Sequence, residues 1–257
     1  LRGDLVDIWL SNKTNIQSIL LVTHNIEEAV LLADKIMIFG SDPGQVLHTI
    51  EVNAAHPRND QDTEFRALVD QIYTLMTSPD QRPAMSDDGD FKVLAMDYRL
   101  PQLAIAEMTG FLETLASSEY EKRVDLPELA EELHLEVDDL FAITELLEAM
   151  RFAKVSAGDI EITALGRSLS EADLQKRKQI YAKAMMQHVP IIAHIRHVID
   201  LDPAGKVDES FFLKELRTYF SDQAAEEVLK VAIDWGRYAE IFAYDYNSGY
   251  LSLEDPE

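Results

Sequence analysis

Among the side chains able to do acid–base or ligand chemistry, His24 has the most suggestive setting. Ile19-Leu20-Leu21-Val22-Thr23 before it is apolar and rich in β-branched residues, and reads as a buried strand. His24 stands at the carboxyl end of that strand. Asn25 then suits the cap of a short helix over residues 26–32, with Glu27 and Glu28 in its first turn, where the helix dipole favours negative charge. In open α/β sheets ligands bind beyond the carboxyl ends of strands, so an imidazole there is placed for ligand chemistry. Imidazole can donate to developing negative charge with one nitrogen while the other is held in place. Glu27 and Glu28 read as first-turn helix acids rather than as catalytic carboxylates.

A second group is His188, His194 and His197. His194 and His197 are one helical turn apart and could share a metal, with His188 across Pro190. No carboxylate completes an established ligand spacing, so the preferred reading is packed or solvent-facing histidines and no metal. Trp235, Tyr238, Phe242, Tyr244 and Tyr246 could form an aromatic ligand surface, but core packing is the better reading. There is no cysteine, hence no disulfide, thiolate ligand or thiol nucleophile.

Several elements must position these residues. Residues 1–10 have helical apolar spacing. Residues 35–39 and 45–52 read as two antiparallel strands around a Ser41-Asp42-Pro43-Gly44 turn. Phe65, Leu68, Val69, Ile72, Tyr73 and Met76 form the stripe of an amphipathic helix over 64–76. Residues 78–90, rich in Pro, Asp and Ser, read as linker. Helical spacing returns over 103–116. Asp125-Leu126-Pro127-Glu128 is a helix start, a second helix runs 138–150, and a hairpin turns at Ser156-Ala157-Gly158-Asp159. Another helix begins near Leu165. This is the order of a winged helix. Further helices are expected over 170–187, capped by Ser170, over 191–200 after Pro190, over 209–220, and from Ser221 or Asp222 to Tyr238. A closing hairpin turns at Asn247-Ser248-Gly249. Helix, helix, hairpin thus occurs twice.

The 257 residues suit one to two domains, and no apolar run approaches the ~20 residues of a membrane-spanning helix. The expected division is 1–77, a linker over 78–100, and 101–257. The net charge of −24 opposes binding to nucleic-acid phosphates. Between Asp125 and Met150 there are nine acidic residues and no Lys or Arg, so a recognition helix there would be repelled by DNA.

The residues also carry a resemblance. Val22-Thr23-His24-Asn25-Ile26-Glu27-Glu28-Ala29-Val30, with Leu32-Ala33-Asp34-Lys35-Ile36, resembles the switch-histidine loop of ABC transporter ATPases. Pro43-Gly44-Gln45-Val46 and His56-Pro57-Arg58 resemble the nitrate/sulfonate/taurine importer branch. The stretches LPELAEELHLEVDDLF, HVPIIAHIRHV and VAIDWGRYAEIFAYD are similar to the AAA-associated C-terminal domain fused to some of these ATPases. The implied fold is an α/β remnant, the C-terminal part of a P-loop NTPase ABC domain, followed by a mainly α domain with winged-helix-like elements. The resemblance implies that His24 contacts the γ-phosphate of ATP, with Mg2+ as cofactor in the full-length protein. Asn25 departs from the Asp commonest after this His. The implied partners are a transmembrane permease and a second ATPase subunit, with no nucleic acid, on the cytoplasmic face of the inner membrane. The sequence contains no G-x-x-x-x-G-K-[ST] loop, and the signature and Walker B segments are equally missing. A C-terminal fragment that does not bind ATP tightly by itself is therefore expected. The competing readings are a non-enzymatic regulatory or sensor module and, less favoured, a winged-helix transcription factor.

Overall fold

A computed structural model describes residues 17–41, 44–77, 91–117 and 123–253. The expected helix over 1–10, the linker over 78–90 and the Asp42-Pro43 corner lie outside the described residues. Among the described residues the fold is mixed α/β and mostly helical, with ten helices and three small antiparallel sheets. No helix there is long and apolar enough to cross a membrane. The chain divides into two compact units, one of Leu1–Pro83, Val124–Phe141 and Val155–Ile160, the other of Ala84–Arg123, Ala142–Lys154 and Glu161–Glu257.

The first unit begins with the segment that leads to His24. It forms no strand: Leu20 and Val22 are 91% and 90% exposed. An apolar run becomes a strand only when another strand accepts its backbone hydrogen bonds, and no strand pairs with it among the described residues. Helix α1 (Ile26–Leu32) follows, and then the hairpin of β1 (Lys35–Ser41) and β2 (Gly44–Glu51). Its register pairs Ile36 with Ile50 and Phe39 with Val46, around a bulge between Ile38 and Phe39. Ile36, Ile38 and Ile50 are buried on one face, while Met37 and Phe39 are exposed. Helix α2 (Thr63–Met76) buries Phe65, Val69, Ile72 and Tyr73 and packs on α1.

Three short elements come next in sequence: α3 (Ile105–Leu115), β3 (Val124–Asp125) and α4 (Leu126–Leu133). The Asp125 carboxylate accepts from the Glu128 amide and caps α4, which packs on α2. Helix α5 (Val137–Ala149) leads into β4 (Ala153–Ser156) and β5 (Asp159–Ile162), and the sheet order is β3-β5-β4. The tip of this hairpin is held by α2, with the Gly158 amide donating to Thr77 Oγ1 at 2.8 Å.

The rest belongs to the second unit. Helix α6 (Ala164–Ser170) starts at Gly166-tight quarters, since a Cβ on Gly166 would lie 2.0 Å from the Phe152 carbonyl oxygen. Helix α7 (Leu174–His188) is capped by Asp173, not by Ser170 as expected. Both residue types can cap, but Ser170 already closes α6 and its hydroxyl donates back to the Arg167 carbonyl. Helix α8 (Pro190–Leu201) takes Pro190 in its first turn, where a missing N–H costs nothing. Strand β6 (Lys206–Asp208), α9 (Glu209–Leu216), α10 (Asp222–Tyr238), β7 (Ala243–Asp245) and β8 (Tyr250–Ser252) complete the chain, in sheet order β6-β8-β7. Helix α9 ends four residues earlier than its spacing suggests. Tyr181 is fully buried, edge-on to Phe152 and Tyr238, and its hydroxyl meets Thr109 Oγ1 at 3.0 Å.

The two β-α-α-β-β stretches share backbone geometry in detail. Asp125 and Asp208 both cap the first helix. The next amide, Leu126 or Glu209, donates to the carbonyl of the hairpin glycine, Gly158 or Gly249, at 2.9 Å in both. Both glycines have positive φ. The second helix ends in both on a left-handed residue, Arg151 or Glu240, after which an amide donates five residues back at 2.8 Å.

Candidate functional site

His24 occupies the turn that feeds α1. The Asn25 amide donates to Thr23 Oγ1 at 3.1 Å, and the Thr23 hydroxyl donates to Glu28 Oε2 at 2.7 Å. Asn25 Oδ1 accepts from the Glu28 amide at 2.7 Å, the cap expected from the sequence. This knot of short bonds fixes the backbone on both sides of His24 and leaves its imidazole more than half exposed. Nε2 lies 3.5 Å from Glu136 Oε2, and Nδ1 lies 3.9 Å from Asp138 Oδ2. No local spacing announces that meeting, because the acids lie more than a hundred residues away. Glu28 is tied into the knot as a helix-start acid, while Glu27 points to a cavity described below.

The far end of α1 is held by Arg58, whose side chain is 3% exposed. Its Nη1 donates to the carbonyls of Val30 and Ala33, each at 2.7 Å, and its Nε to that of Ala54 at 2.9 Å. These are carbonyls that a helix end leaves without partners. Burial pushes the guanidinium pKa down, and the Asp34 carboxylate 3.7 Å away pushes it back up. His56 sits beside the clamp, with Nε2 3.5 Å from Asp34 Oδ1 and a buried Nδ1 that has no hydrogen-bond partner among the described residues. A cavity of about 360 Å³ lies against Arg58, lined also by Val30, Val52, Asp62 and Phe65.

A second cavity, of about 290 Å³, opens beside Asn25 and Glu27. Tyr73 of α2, Glu131 of α4, His134 and Glu136 line the rest of its polar wall. His134 holds the left-handed position that ends α4. Burial pushes the Tyr73 hydroxyl up to about 12, and the carboxylates of Glu27 and Asp125 push in the same direction.

The three other histidines are not brought together. His188 ends α7, half-buried, and its pKa is lowered by burial and by Arg151. His194 Nε2 meets Glu215 Oε2 at 2.7 Å, and His197 is exposed. Among the described residues no three His, Asp or Glu side chains are grouped so as to hold a metal. Of the aromatic group, Trp235 and Phe242 are core residues, and the Trp235 indole donates to the Leu103 carbonyl at 2.8 Å. Tyr246 is exposed beneath the Arg237 guanidinium. Sequence reasoning missed Lys92, buried with its ammonium on Glu145, which also accepts from the Tyr98 hydroxyl. An isolated Lys after a polar stretch carries no signal that it will be buried.

Residues 127–245, from α4 to β7, match the model of the C-terminal AAA-associated domain. The match covers a little under half of the chain. The chain is also similar to the aliphatic sulfonates import ATP-binding protein SsuB of Bacillus thuringiensis subsp. konkukian, at 38% identity over 68 residues, 26% of each chain. SsuB of Bacillus subtilis is 33% identical over 72 residues, 28% of this chain and 27% of that one. An uncharacterised ABC transporter ATP-binding protein of Methanocaldococcus jannaschii is 29% identical over 76 residues, 30% and 27% of the two chains. The chain spans about a quarter of the length of the curated relatives it matches. No solved structure matches it. The resemblance to the C-terminal region of ABC ATP-binding subunits, with an AAA-associated domain fused to it, is borne out by these two kinds of match.

Proposed function

We propose that this chain is the C-terminal part of the ATP-hydrolysing subunit of an ABC importer of the nitrate/sulfonate/taurine type, and that His24 is its switch histidine. The observation that carries the reading is the His24 turn itself. A half-exposed imidazole stands in front of a capped helix, on a backbone fixed by Thr23, Asn25 and Glu28. A preorganised donor of this kind suits the γ-phosphate of ATP. Residues 1–77 then form the end of a P-loop NTPase ABC domain, residues 78–100 a linker, and residues 101–257 a regulatory domain with winged-helix-like elements. The chain's own residues fit one contact to ATP and no cradle for its phosphates, so ATP and Mg2+ are held mainly by other parts of the full-length protein. A permease and a second ATPase subunit are the partners, at the cytoplasmic face of the membrane.

The surroundings of His24 support a regulatory role for the C-terminal half. A phosphate that reaches the imidazole must displace the carboxylates of Glu136 and Asp138, which repel it. The acids between Asp125 and Met150 speak against a transcription factor. The test is ATP hydrolysis by the full-length subunit. His24→Ala should cost about 3 kcal/mol in the transition state, as for other preorganised donors. Hydrolysis at the wild-type rate by that variant overturns the role of His24, and absence of hydrolysis by the wild-type full-length subunit leaves the non-enzymatic sensor module.

A further inference from the structure

The turn that joins α4 to α5 leans on the His24 turn. Glu136 and Asp138 flank Val137, the first residue of α5, and their carboxylates lie 3.5 Å from Nε2 and 3.9 Å from Nδ1 of one imidazole. Both ring nitrogens are thus faced by acids of a single turn. Val137 between them is buried, which fixes where the two acids stand. Two exposed acids beside an exposed histidine would by themselves be a surface pair of little worth. The difference lies in how the turn is held. Helix α4 packs on α2, with Val69 and Tyr73 of α2 and Leu129 and Ala130 of α4 all buried. The Tyr73 ring lies against Phe141 of α5, with centroids 5.7 Å apart. The Leu126 amide at the start of α4 donates to the Gly158 carbonyl at 2.9 Å, and the Gly158 amide donates to Thr77 Oγ1 at the end of α2 at 2.8 Å. So α4 and the hairpin tip sit on α2 as one piece. Helix α1, which His24 precedes, packs on α2 as well. Helix α2 is therefore a common base for the imidazole and for the acids that face it.

We propose that this contact is autoinhibitory: the α4–α5 turn, docked through α2, holds Glu136 and Asp138 against the His24 ring and keeps an anionic phosphate from it. The proposal rests on the reading of His24 as the switch histidine. A phosphate oxygen and these carboxylates repel each other at such distances and compete for the same two nitrogens. The turn must leave before the ring can meet the γ-phosphate. Because Leu126 ties α4 to Gly158, a turn that leaves takes the hairpin tip with it and breaks the bond from Gly158 to Thr77. Linkage makes the effect mutual: a docked turn weakens nucleotide binding, and bound nucleotide loosens the turn by the same factor.

The experiment uses the full-length subunit. Glu136→Gln together with Asp138→Asn should raise kcat/KM for ATP about fivefold or more. Asp97→Asn together with Glu171→Gln removes two exposed charges elsewhere and should leave it unchanged. In a His24→Ala background the first pair of changes should gain nothing, because the acids act through that ring. A second readout needs neither turnover nor a variant. In the wild type, adenylyl imidodiphosphate should quicken amide exchange at Gly158 about fivefold or more. Exchange at Gly249, whose amide donates to Asp245 in the second hairpin, should not change. No gain in the Glu136 and Asp138 variant, an equal gain in the Asp97 and Glu171 variant, or Gly158 protection unmoved by the nucleotide overturns autoinhibition. If His24→Ala is slowed in the same series, the switch-histidine reading survives that failure. A wild-type rate in His24→Ala removes that reading and this proposal with it.

Discussion

Arg58→Ala is the perturbation that reaches furthest toward His24. Its guanidinium makes two 2.7 Å bonds to the last carbonyls of α1, the helix that His24 precedes. A hydrogen bond to a charged group contributes about 1.5–3 kcal/mol, so the pair accounts for about 3–6 kcal/mol. Truncation does not lose all of it. The cavity of about 360 Å³ beside Arg58 lets water reach the freed carbonyls, and solvated carbonyls escape the cost of burial without a partner. An expected loss of about 2–3 kcal/mol remains after that rehydration. The loss is local, so the assay is amide hydrogen exchange at Ala29 and Ala33, whose N–H groups donate to Asn25 and Ala29. Exchange there should quicken by roughly 30- to 150-fold at a tenfold per 1.4 kcal/mol. Arg58→Lys should fall between, because an ammonium lacks the planar fork that serves several carbonyls together. Unchanged protection of Ala29 and Ala33 in Arg58→Ala would refute the clamp.

Three smaller perturbations test other contacts of the fold. Asn25→Ala removes the cap bond to the Glu28 amide and should cost about 1 kcal/mol in urea unfolding, whereas Asn25→Asp, which keeps the acceptor, should be near neutral. Gly236→Ala would put a Cβ 2.2 Å from the Phe242 ring, so a loss of about 1–3 kcal/mol and a lowered melting temperature are expected. The Glu240 pKa is held down first by Lys178 and then by Gln175. Its contribution is thus present above the ordinary carboxylate range and lost as the pH falls through the lowered value. Lys178→Met should move the Glu240 titration, followed by carboxyl NMR, back up toward that range; no movement would discard the pair.

What could be read from the residues was whatever depends on near neighbours. Asn25 and Asp125 announced their caps because each bond spans three residues. The stripe from Phe65 to Met76 announced α2, and Pro190 announced the start of α8. The reading failed where a distant partner decides. Residues 19–23 have the pattern of a strand but nothing described to pair with. Ser170 and Asp173 are equally good caps, and only the end of α6 chooses between them. Strands β3 and β6, of two and three residues, are too short to carry a period. The candidate site was half legible: His24 and its turn were visible, but the acids facing its ring, the Arg58 clamp and the cavity around Tyr73 all need contacts across tens of residues. A spacing pattern holds no record of such contacts.

The paired β-α-α-β-β stretches have an evolutionary corollary. Their shared geometry rests on main-chain bonds and on one aspartate, one glycine and one left-handed residue in each. Main-chain bonds place few demands on the side chains outside them, so the rest of each stretch is free to drift without loss of the scaffold. The charge pattern displays that freedom. The first stretch has no Lys or Arg between Asp125 and Met150, while the second carries Lys214, Arg217, Lys230 and Arg237 on the same framework. One scaffold thus presents two surfaces of different electrical character, and selection can retune either without rebuilding the other.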